Sequence, residues 1–477
     1  MAGMDLSACT DQANNDVRDV SSSTLPAPIF VRGGGEAHRT KHEPPQALAG
    51  IVGSGSGSEA ASSPQLLRIA SAVSPMPQQS HWLSLFAPEP TILRILNDWF
   101  ERVHALAPVL VRRRFMRRFR SREADHNATF CGLVISVCMA TCATLRREDY
   151  GDATAEKGAT FIQYHRLLEV DSSGQNAYTL DWCVAMYNLG MSASSLATGG
   201  LKSTSSYHAL SMAAIGVRYI AYYCMKDHDF VEQQQAKRLF MLIFAGSQSG
   251  DAFGMLTPNI ASYQDNWPQL RPLPLTDDEL DPTGKDLDPL AAEDTAWHGN
   301  NTSYIPGLLR LSDIFWVWHE AQTIPAAMLG GVEAALARYL AQVQQVIDSL
   351  PPELRWRGGL SRPAHVTEGH DAQVVNIFIT SLHIRSNLLE KFGSTSGSHE
   401  EHQRIVDDLL EILYHLPQAV FDANGSSLVP KIRDIGASYL EQAQKIQGMG
   451  DDVKEKMERL SRRLHDLDCW PGHPTGY

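Results

Sequence analysis

Thiols and imidazoles are the side chains in this sequence with the chemistry to bind a metal. Its seven cysteines are at positions 9, 131, 138, 142, 183, 224 and 469, and no two of them form a Cys-x-x-Cys pair. Cys131, Cys138 and Cys142 would share one helical face, whereas tetrahedral zinc is usually bound by four ligands from separate turns. His399 and His402 adjoin a Gly/Ser-rich break that is typical of a solvated surface. We therefore expect no metal and no cofactor, and free thiols in a reducing compartment.

Signatures of catalysis are missing from the sequence as well. It contains no Gly-x-Ser-x-Gly nucleophile elbow, no Walker loop and no His-Glu-x-x-His metal helix. A Gly/Ser run at 53–63 has no strand before it and no lysine after it, which indicates a linker and not a nucleotide loop. We therefore predict that the chain is not an enzyme and name no catalytic residue. An unrecognised helical enzyme is the least favoured alternative.

The strongest charge feature is a basic segment in which seven arginines fall within eleven residues. Such clusters serve nuclear import or nucleic-acid contact. Phe115, Met116 and Phe119 interleave with the arginines at helical spacing, which equally fits a basic amphipathic helix with buried apolar side chains. Import is favoured over DNA contact because a lone helix has no groove-reading scaffold. The import candidates are Arg112, Arg113, Arg114, Arg117, Arg118, Arg120 and Arg122.

Composition places the chain among globular proteins and limits its partners. Of its 477 residues, 43% are hydrophobic and 20% are charged, and the formal net charge is −13. A chain of this size and composition buries a sizeable core. Its acidic excess disfavours binding of duplex DNA through the whole surface, so we expect direct DNA binding to be weak or indirect. No run of about 18 apolar residues is present, so we predict no membrane span.

Helical periodicity organises the sequence from residue 81 onward, and we predict an all-α fold. Residues 1–80 are rich in Ser, Gly and Pro and are expected to be disordered. A helical regulatory domain is predicted for 81–395, and a C-terminal helical extension packed on it for 396–477. The ambiguous apolar run 374–380 is interpreted as a buried helix. Residues 264–305 carry five prolines and many acids, which predicts a long acidic surface loop.

The last predicted helix, 451–468, has an apolar seam with alternating four- and three-residue steps. This heptad-like pattern could form a homodimer or dock on the domain's own core. Docking is favoured because fewer than three heptads seldom hold two chains together. The seam residues are Val453, Met457, Leu460, Leu464 and Leu467.

Two stretches resemble the fungal-specific transcription factor domain. The first has an aromatic pair, a histidine, a proline step and a phenylalanine in the family's order, and the second has basic residues before an aromatic residue and then a Gly-x-Pro-like loop. The matching residues are Trp99, Phe100, His104, Pro108 and Phe115 in the first stretch, and Lys237, Arg238, Phe240, Gly254 and Pro258 in the second. The resemblance covers roughly residues 85–285.

The resemblance implies a nuclear, all-helical regulatory domain that senses a small-molecule effector and controls transcription of a metabolic or secondary-metabolite pathway. In that family the domain usually follows a six-cysteine zinc cluster, and none is readable here. We therefore expect a regulator without its own DNA reader, acting through protein partners such as a DNA-binding regulator or the transcription machinery. Two alternatives stay open, a DNA-free helical scaffold or coregulator and a truncated zinc-cluster transcription factor.

Overall fold

Every regular element that the structure describes is a helix, so the all-α prediction is confirmed. The structure is a computed structural model that describes residues 82–170, 178–196, 202–258, 260–262, 264–282, 302–358, 362–363, 365–393, 398–446 and 450–468. The predicted disordered segment 1–80 lies outside these residues. The described helices belong to one unit, Pro75–Tyr477.

The α-helices of the first half precede residue 283. They are α1 (Trp82–Phe86), α2 (Glu89–Asp98), α3 (Arg112–Arg120), α4 (Ala128–Thr144), α5 (Ala155–Tyr164), α6 (Leu180–Leu196), α7 (Thr204–Tyr219), α8 (Phe230–Ala252), α9 (Trp267–Leu270) and α10 (Asp277–Leu280). Two π-helical turns, Trp99–Val103 and Ile220–Cys224, continue α2 and α7.

The α-helices of the second half follow residue 301. They are α11 (Ile305–Thr323), α12 (Val332–Asp348), α13 (Glu368–Phe392), α14 (Ser398–His415), α15 (Gln418–Asn424), α16 (Leu428–Ile446) and α17 (Asp451–Asp468). The ambiguous run 374–380 lies inside α13, as interpreted from its neighbours. Helical spacing over 326–350 predicts a single helix, but the chain is broken at Gly330 and Gly331, whose φ angles of 88° and 106° suit glycine.

The core is built around α4 and α13, which are buried on almost all sides. In α4, 13 of 17 residues are buried, and in α13, 19 of 25. A helix that is buried on nearly all sides has no separate solvent face, which explains why the sequence shows little amphipathic contrast there. Cys131 and Cys138 lie in this core, and burial raises the pKa of the Cys131 thiol to about 12. Both side chains therefore act as small apolar groups.

The C-terminal helices pack on the same core. Helix α16 contacts α13, α14 and α17, and the seam of α17 faces its own chain. Leu460 is buried, the other seam residues are partly buried against the core, and Arg463 Nε donates to Leu413 O over 2.9 Å. The seam is therefore occupied by intramolecular docking. This packing is the docking that the sequence favoured over a homodimer, and the homodimer stays a prediction.

A polar seam runs between α13 and α16 inside this packing. Lys431 Nζ donates to Thr380 Oγ1 over 2.8 Å and to Asn376 Oδ1 over 3.3 Å, and it lies 5.8 Å from the centre of the Phe315 ring. Neither hydrogen-bond partner carries a charge. Burial therefore lowers the pKa of the Lys431 ammonium to about 7.

We expect Lys431→Met to stabilise the protein at pH 7 and to change its pH dependence. Between a folded pKa of about 7 and an ordinary unfolded value, the unfolded chain binds more protons, so Lys431 makes unfolding costlier as pH rises through that window. The variant should be about 3 kcal/mol more stable at pH 7, and this advantage should shrink towards pH 10. Urea unfolding followed by circular dichroism measures both values.

Lys445→Met on the same helix is the matched control, because Lys445 lies on the surface and pairs with Glu441 four residues away. An exposed pair of this kind contributes little. Equal stability differences at pH 7 and pH 10 for the Lys431 variant would show that its amine is not the group that titrates. Thr380 and Asn376 stay hydrogen-bonded to each other, which limits the polar cost of the change.

Candidate functional site

The first stretch of the resemblance begins on a π-helical turn that positions two aromatic rings and a histidine. Pro90 lies in the first turn of α2, where its missing N–H is not needed. The helix then widens into the π turn Trp99–Val103, and His104 N donates to Trp99 O over 2.7 Å. Trp99 and Phe100 are buried, and the Phe100 ring lies 5.5 Å from the His104 ring. Turns of this type often occur at functional sites.

The second stretch contributes a buried arginine from α8. This helix begins with a capping box in which Asp229 and Glu232 satisfy each other's backbone N–H groups. Two turns later the Arg238 side chain, 2% exposed, reaches back to the first stretch. Its Nη1 lies 3.4 Å from Pro108 O, and its Nη2 lies 3.5 Å from Leu275 O. Residues 130 positions apart therefore meet at one junction.

Asp277 completes the charged part of this junction. It begins the short helix α10, whose own capping box joins Thr276 and Glu279. One carboxylate oxygen, Oδ1, lies 3.7 Å from Arg238 Nη1, and the other, Oδ2, accepts a hydrogen bond of 3.2 Å from Arg112 N. The N-cap residue of α3 makes no capping hydrogen bond with its side chain. Asp277, from a distant segment, therefore caps the N-terminus of α3 in its place.

Burial dominates the electrostatics of this ion pair. It raises the pKa of the Asp277 carboxyl and lowers the pKa of the Arg238 guanidinium, and their mutual attraction opposes both shifts. The pair is therefore costly to desolvate, although breaking it would leave a buried charge without its partner. Burial, followed by the charges of Arg238 and Arg112, lowers the pKa of His104 to about 3, so this imidazole is neutral at physiological pH.

Helix α13 closes the junction from the opposite side. Gln373 Nε2 donates to both Ala105 O and Tyr304 O at 2.7 Å. A Cβ at Gly369 would lie 2.7 Å from the Tyr304 ring and from the Ala105 side chain, so this close approach requires glycine. The N-terminal turn of the longest described helix is thereby tied to the loop that carries His104.

The junction of His104, Arg238 and Asp277 encloses a small cavity. The space open to the centre of a water molecule is about 10 Å³, which is room for about one water molecule. Metabolite sites usually have several hundred Å³, so an organic effector does not fit in this cavity. Arg238 Nε and His104 Nδ1 have no hydrogen-bond partner among the described residues. The lining residues are His104, Pro108, Arg238, Leu275, Asp277, Thr302, Ser303, Tyr304 and Ile305.

Comparisons with protein-family models, curated proteins and solved structures give no match to this chain. The family resemblance therefore rests on the quoted residues alone. Among the described residues, no three His, Cys, Asp or Glu side chains are grouped to hold a metal ion, and no helix is long and apolar enough to cross a membrane.

Only part of the second motif stretch reaches the junction. Phe240 is fully buried and packs against Trp267, with ring centres 5.9 Å apart. Lys237 is half-buried on α8. Gly254 has a φ of 64° just beyond the C-terminal end of α8, and Pro258 follows it. At 1.5 Å per residue, that end of α8 lies about 20 Å along the helix from Arg238.

Six of the seven arginines in the cluster lie in α3, and the apolar side chains of this helix face inward. Phe115, Met116 and Phe119 are buried, as expected for a basic amphipathic helix. The Phe115 ring contacts Phe100, with ring centres 5.8 Å apart, and Phe130 in α4, at 5.6 Å. The family-motif position Phe115 is therefore a core residue that joins α3 to the π turn and to the central helix.

Four of the seven arginines in the cluster form ion pairs within the described part of the chain. Arg113 pairs with Asp278, Arg114 with Asp229, Arg118 with both Glu123 and Asp181, and Arg122 with Asp125. Arg112 is buried, and Arg117 and Arg120 are half-buried. These contacts within the chain disfavour an import role for the arginines of the cluster, and that role stays a prediction.

Two further sequence interpretations are corrected by the geometry. His402 is buried and His399 stacks on Tyr439, so the expectation of a solvated surface at this histidine pair is wrong. Part of the predicted acidic loop folds back as α10, and Asp277 and Asp278 face arginines. The Thr-x-x-Glu capping pattern at Thr276 was the available signal for this helix.

We expect the Arg238–Asp277 pair to show strong coupling in a double-mutant cycle. Arg238→Met and Asp277→Leu should each cost about 3–5 kcal/mol because each leaves a buried charge without its partner. The double variant should lose much less than the sum, close to the roughly 1 kcal/mol of a lost helix cap. Guanidinium unfolding of the four proteins measures the coupling.

Arg404→Met is the control, because Arg404 is 65% exposed and pairs with acids on its own helix. Its effect should stay below about 1 kcal/mol. Strictly additive losses in the cycle would mean that Arg238 and Asp277 stabilise the fold independently, and that the ion pair does not organise the junction.

Proposed function

We propose that this chain is a fungal transcriptional regulator of a metabolic or secondary-metabolite pathway, acting in the nucleus through an effector-responsive helical domain. The observation that carries the proposal is the convergence of the two resembling stretches. Pro108 O from the first stretch contacts Arg238 Nη1 from the second, and His104 from the first lines the same cavity. A shared family origin explains why both sets of residues occur in one chain.

The charge distribution supports a regulator that depends on a partner for DNA. Affinity for duplex DNA grows with the number of phosphates that a protein neutralises. Three of the seven arginines in the densest basic segment pair with acids inside the fold, which are Asp229, Asp278, Glu123 and Asp181. The chain also has 54 acidic against 41 basic residues. We therefore propose weak or indirect DNA binding and recruitment by a DNA-binding partner.

An exposed aromatic surface favours the second candidate function, a coregulator that acts wholly through protein contacts. Ile215 and Tyr219 on α7 and Tyr223 on the following π turn are exposed, and Tyr223 reaches 77%. The Tyr219 and Tyr223 rings lie 5.3 Å apart. Tyrosines of this kind are enriched at protein interfaces, where they bury a large area at low entropic cost. Both functions use such a partner surface.

Tethering tests the regulatory role directly. Fused to a heterologous DNA-binding domain, the chain should change transcription of a reporter several-fold. Replacing Tyr219 and Tyr223 together with Ser should reduce that change with little loss of stability, because both residues are exposed, Tyr219 by 46% and Tyr223 by 77%. Reporter transcript level is the measurement, and Tyr164→Ser, at an 80% exposed tyrosine elsewhere, is the matched control.

The outcome separates three cases. No reporter response from a folded fusion contradicts both candidate functions. A response that the Tyr164 control loses equally would remove the aromatic surface from the proposal. Selection of random duplexes on the untethered protein at physiological salt should enrich no sequence motif, and one enriched motif would contradict the dependence on a partner.

A fluorescent fusion tests the nuclear location and the task of α3. The wild-type fusion should accumulate in the nucleus. Arg113→Gln combined with Arg118→Gln should lower its abundance, because both changes break ion pairs inside the fold, while leaving the nuclear share of the remaining protein unchanged. A shift to the cytoplasm at unchanged stability would instead make the cluster an import signal, and a cytoplasmic wild type would contradict the location.

A further inference from the structure

The guanidinium of Arg238 has fewer and longer polar contacts than its burial requires. Its three contacts, to Pro108 O, Leu275 O and Asp277 Oδ1, span 3.4–3.7 Å. Charge-assisted hydrogen bonds to arginine are ordinarily about 2.7–2.9 Å long. Arg238 Nε has no hydrogen-bond partner in the part of the chain that the structure describes, although this side chain is 98% buried. The group therefore retains donor capacity that the protein itself does not use.

The cavity beside this guanidinium is lined by two buried nitrogen atoms that have no hydrogen-bond partner among the described residues, Arg238 Nε and His104 Nδ1. Thr302 and Ser303 add hydroxyl groups, which can donate. Asp277 is the one carboxylate in the lining, and it faces Nη1 of Arg238. The carboxylate therefore leaves Arg238 Nε unsatisfied, and this N–H can donate to a molecule or ion in the cavity.

We propose that this cavity is a binding site for one small inorganic anion of chloride size. A cavity with room for about one water molecule excludes carboxylate-bearing metabolites and sulfate, whereas a chloride ion is close to water in size. The ion accepts from Arg238 Nε and, in the tautomer protonated at Nδ1, from His104. A role of the ion in controlling transcription rests on the proposed function, whereas the binding site itself does not.

The same geometry gives the ion a consequence for the fold. Arg238 is shared between the ion and Asp277, and Asp277 in turn caps the N-terminus of α3. An anion that binds the folded state alone stabilises it by mass action. Occupancy of the cavity therefore changes the charge balance at the contact that joins α8, α10 and α3.

Chloride NMR on the full wild-type protein tests the site without any variant. At constant ionic strength, with gluconate as the replacement anion, the protein should broaden the ³⁵Cl resonance in a saturable way, and bromide should reverse the broadening. The thermal midpoint should rise with chloride over the same range, since both report the same binding. Absence of saturable broadening means that the cavity holds water or nothing, and overturns the proposal.

Variants then assign the binding to Arg238. Arg238→Lys keeps the positive charge but removes Nε, and should weaken chloride binding about tenfold or more. Arg404→Lys, the matched change at an exposed arginine on α14, should leave it unchanged. Should Arg238→Lys not fold, His104→Phe removes the other buried donor and should also weaken binding. Equal affinity in a folded Arg238→Lys variant and the wild type would place the ion elsewhere and overturn the assignment.

The binding and reporter experiments fail independently of each other. Chloride binding with no reporter response leaves the anion site standing and removes the regulatory function. A reporter response without chloride binding leaves the proposed function standing and removes the anion site.

Discussion

The ion pair of Arg238 and Asp277 is the interaction on which the arrangement of the junction depends. Each partner lies on a different helix, and each also contacts a third segment, the Pro108 carbonyl for Arg238 and the α3 N-terminus for Asp277. Desolvation makes this pair a weak source of net stability. The pair instead selects the arrangement of the segments. A buried charge without its partner is strongly destabilising, so packings in which these segments do not meet are disfavoured. Specificity of arrangement, more than free energy, is what the pair contributes.

The π turn provides the second constraint, and it acts on the same point. An added residue in the helical turn changes the direction in which side chains leave the backbone, so Phe100 and His104 both face the interior of the junction. The approach of α13, made close by Gly369 and fastened by Gln373, then fixes the loop between them and Pro108. A neutral imidazole beside two arginines is tolerated because burial has already removed its proton.

The periodicity of apolar residues predicted the helices but not the contacts between residues that are distant in sequence. The buried helix at 374–380 and the amphipathic helix α3 were predictable because apolar spacing is a local property. The break before α12 was missed because left-handed glycines leave helical periodicity on both sides intact. Asp277 was assigned to a solvated acidic loop, since nothing within its own segment indicates a partner in α8. Burial of His402 was likewise invisible beside a Gly/Ser-rich break. Junction residues drawn from separate segments need the tertiary structure before they can be grouped.

The ion pairs formed by the arginines of α3 bear on the DNA-binding partner that the proposed function requires. A basic segment can serve either the interior of its own chain or an external polyanion, because each guanidinium that pairs with a carboxylate gives up the phosphate it could have neutralised. Here the acids that take those arginines lie in three other segments, near Asp181, Asp229 and Asp278. Freeing α3 for DNA would therefore expose these carboxylates together, adding negative charge beside the freed positive charge. An acidic chain built in this way gains little by opening, which is why the proposed function assigns contact with DNA to a partner that has its own basic surface.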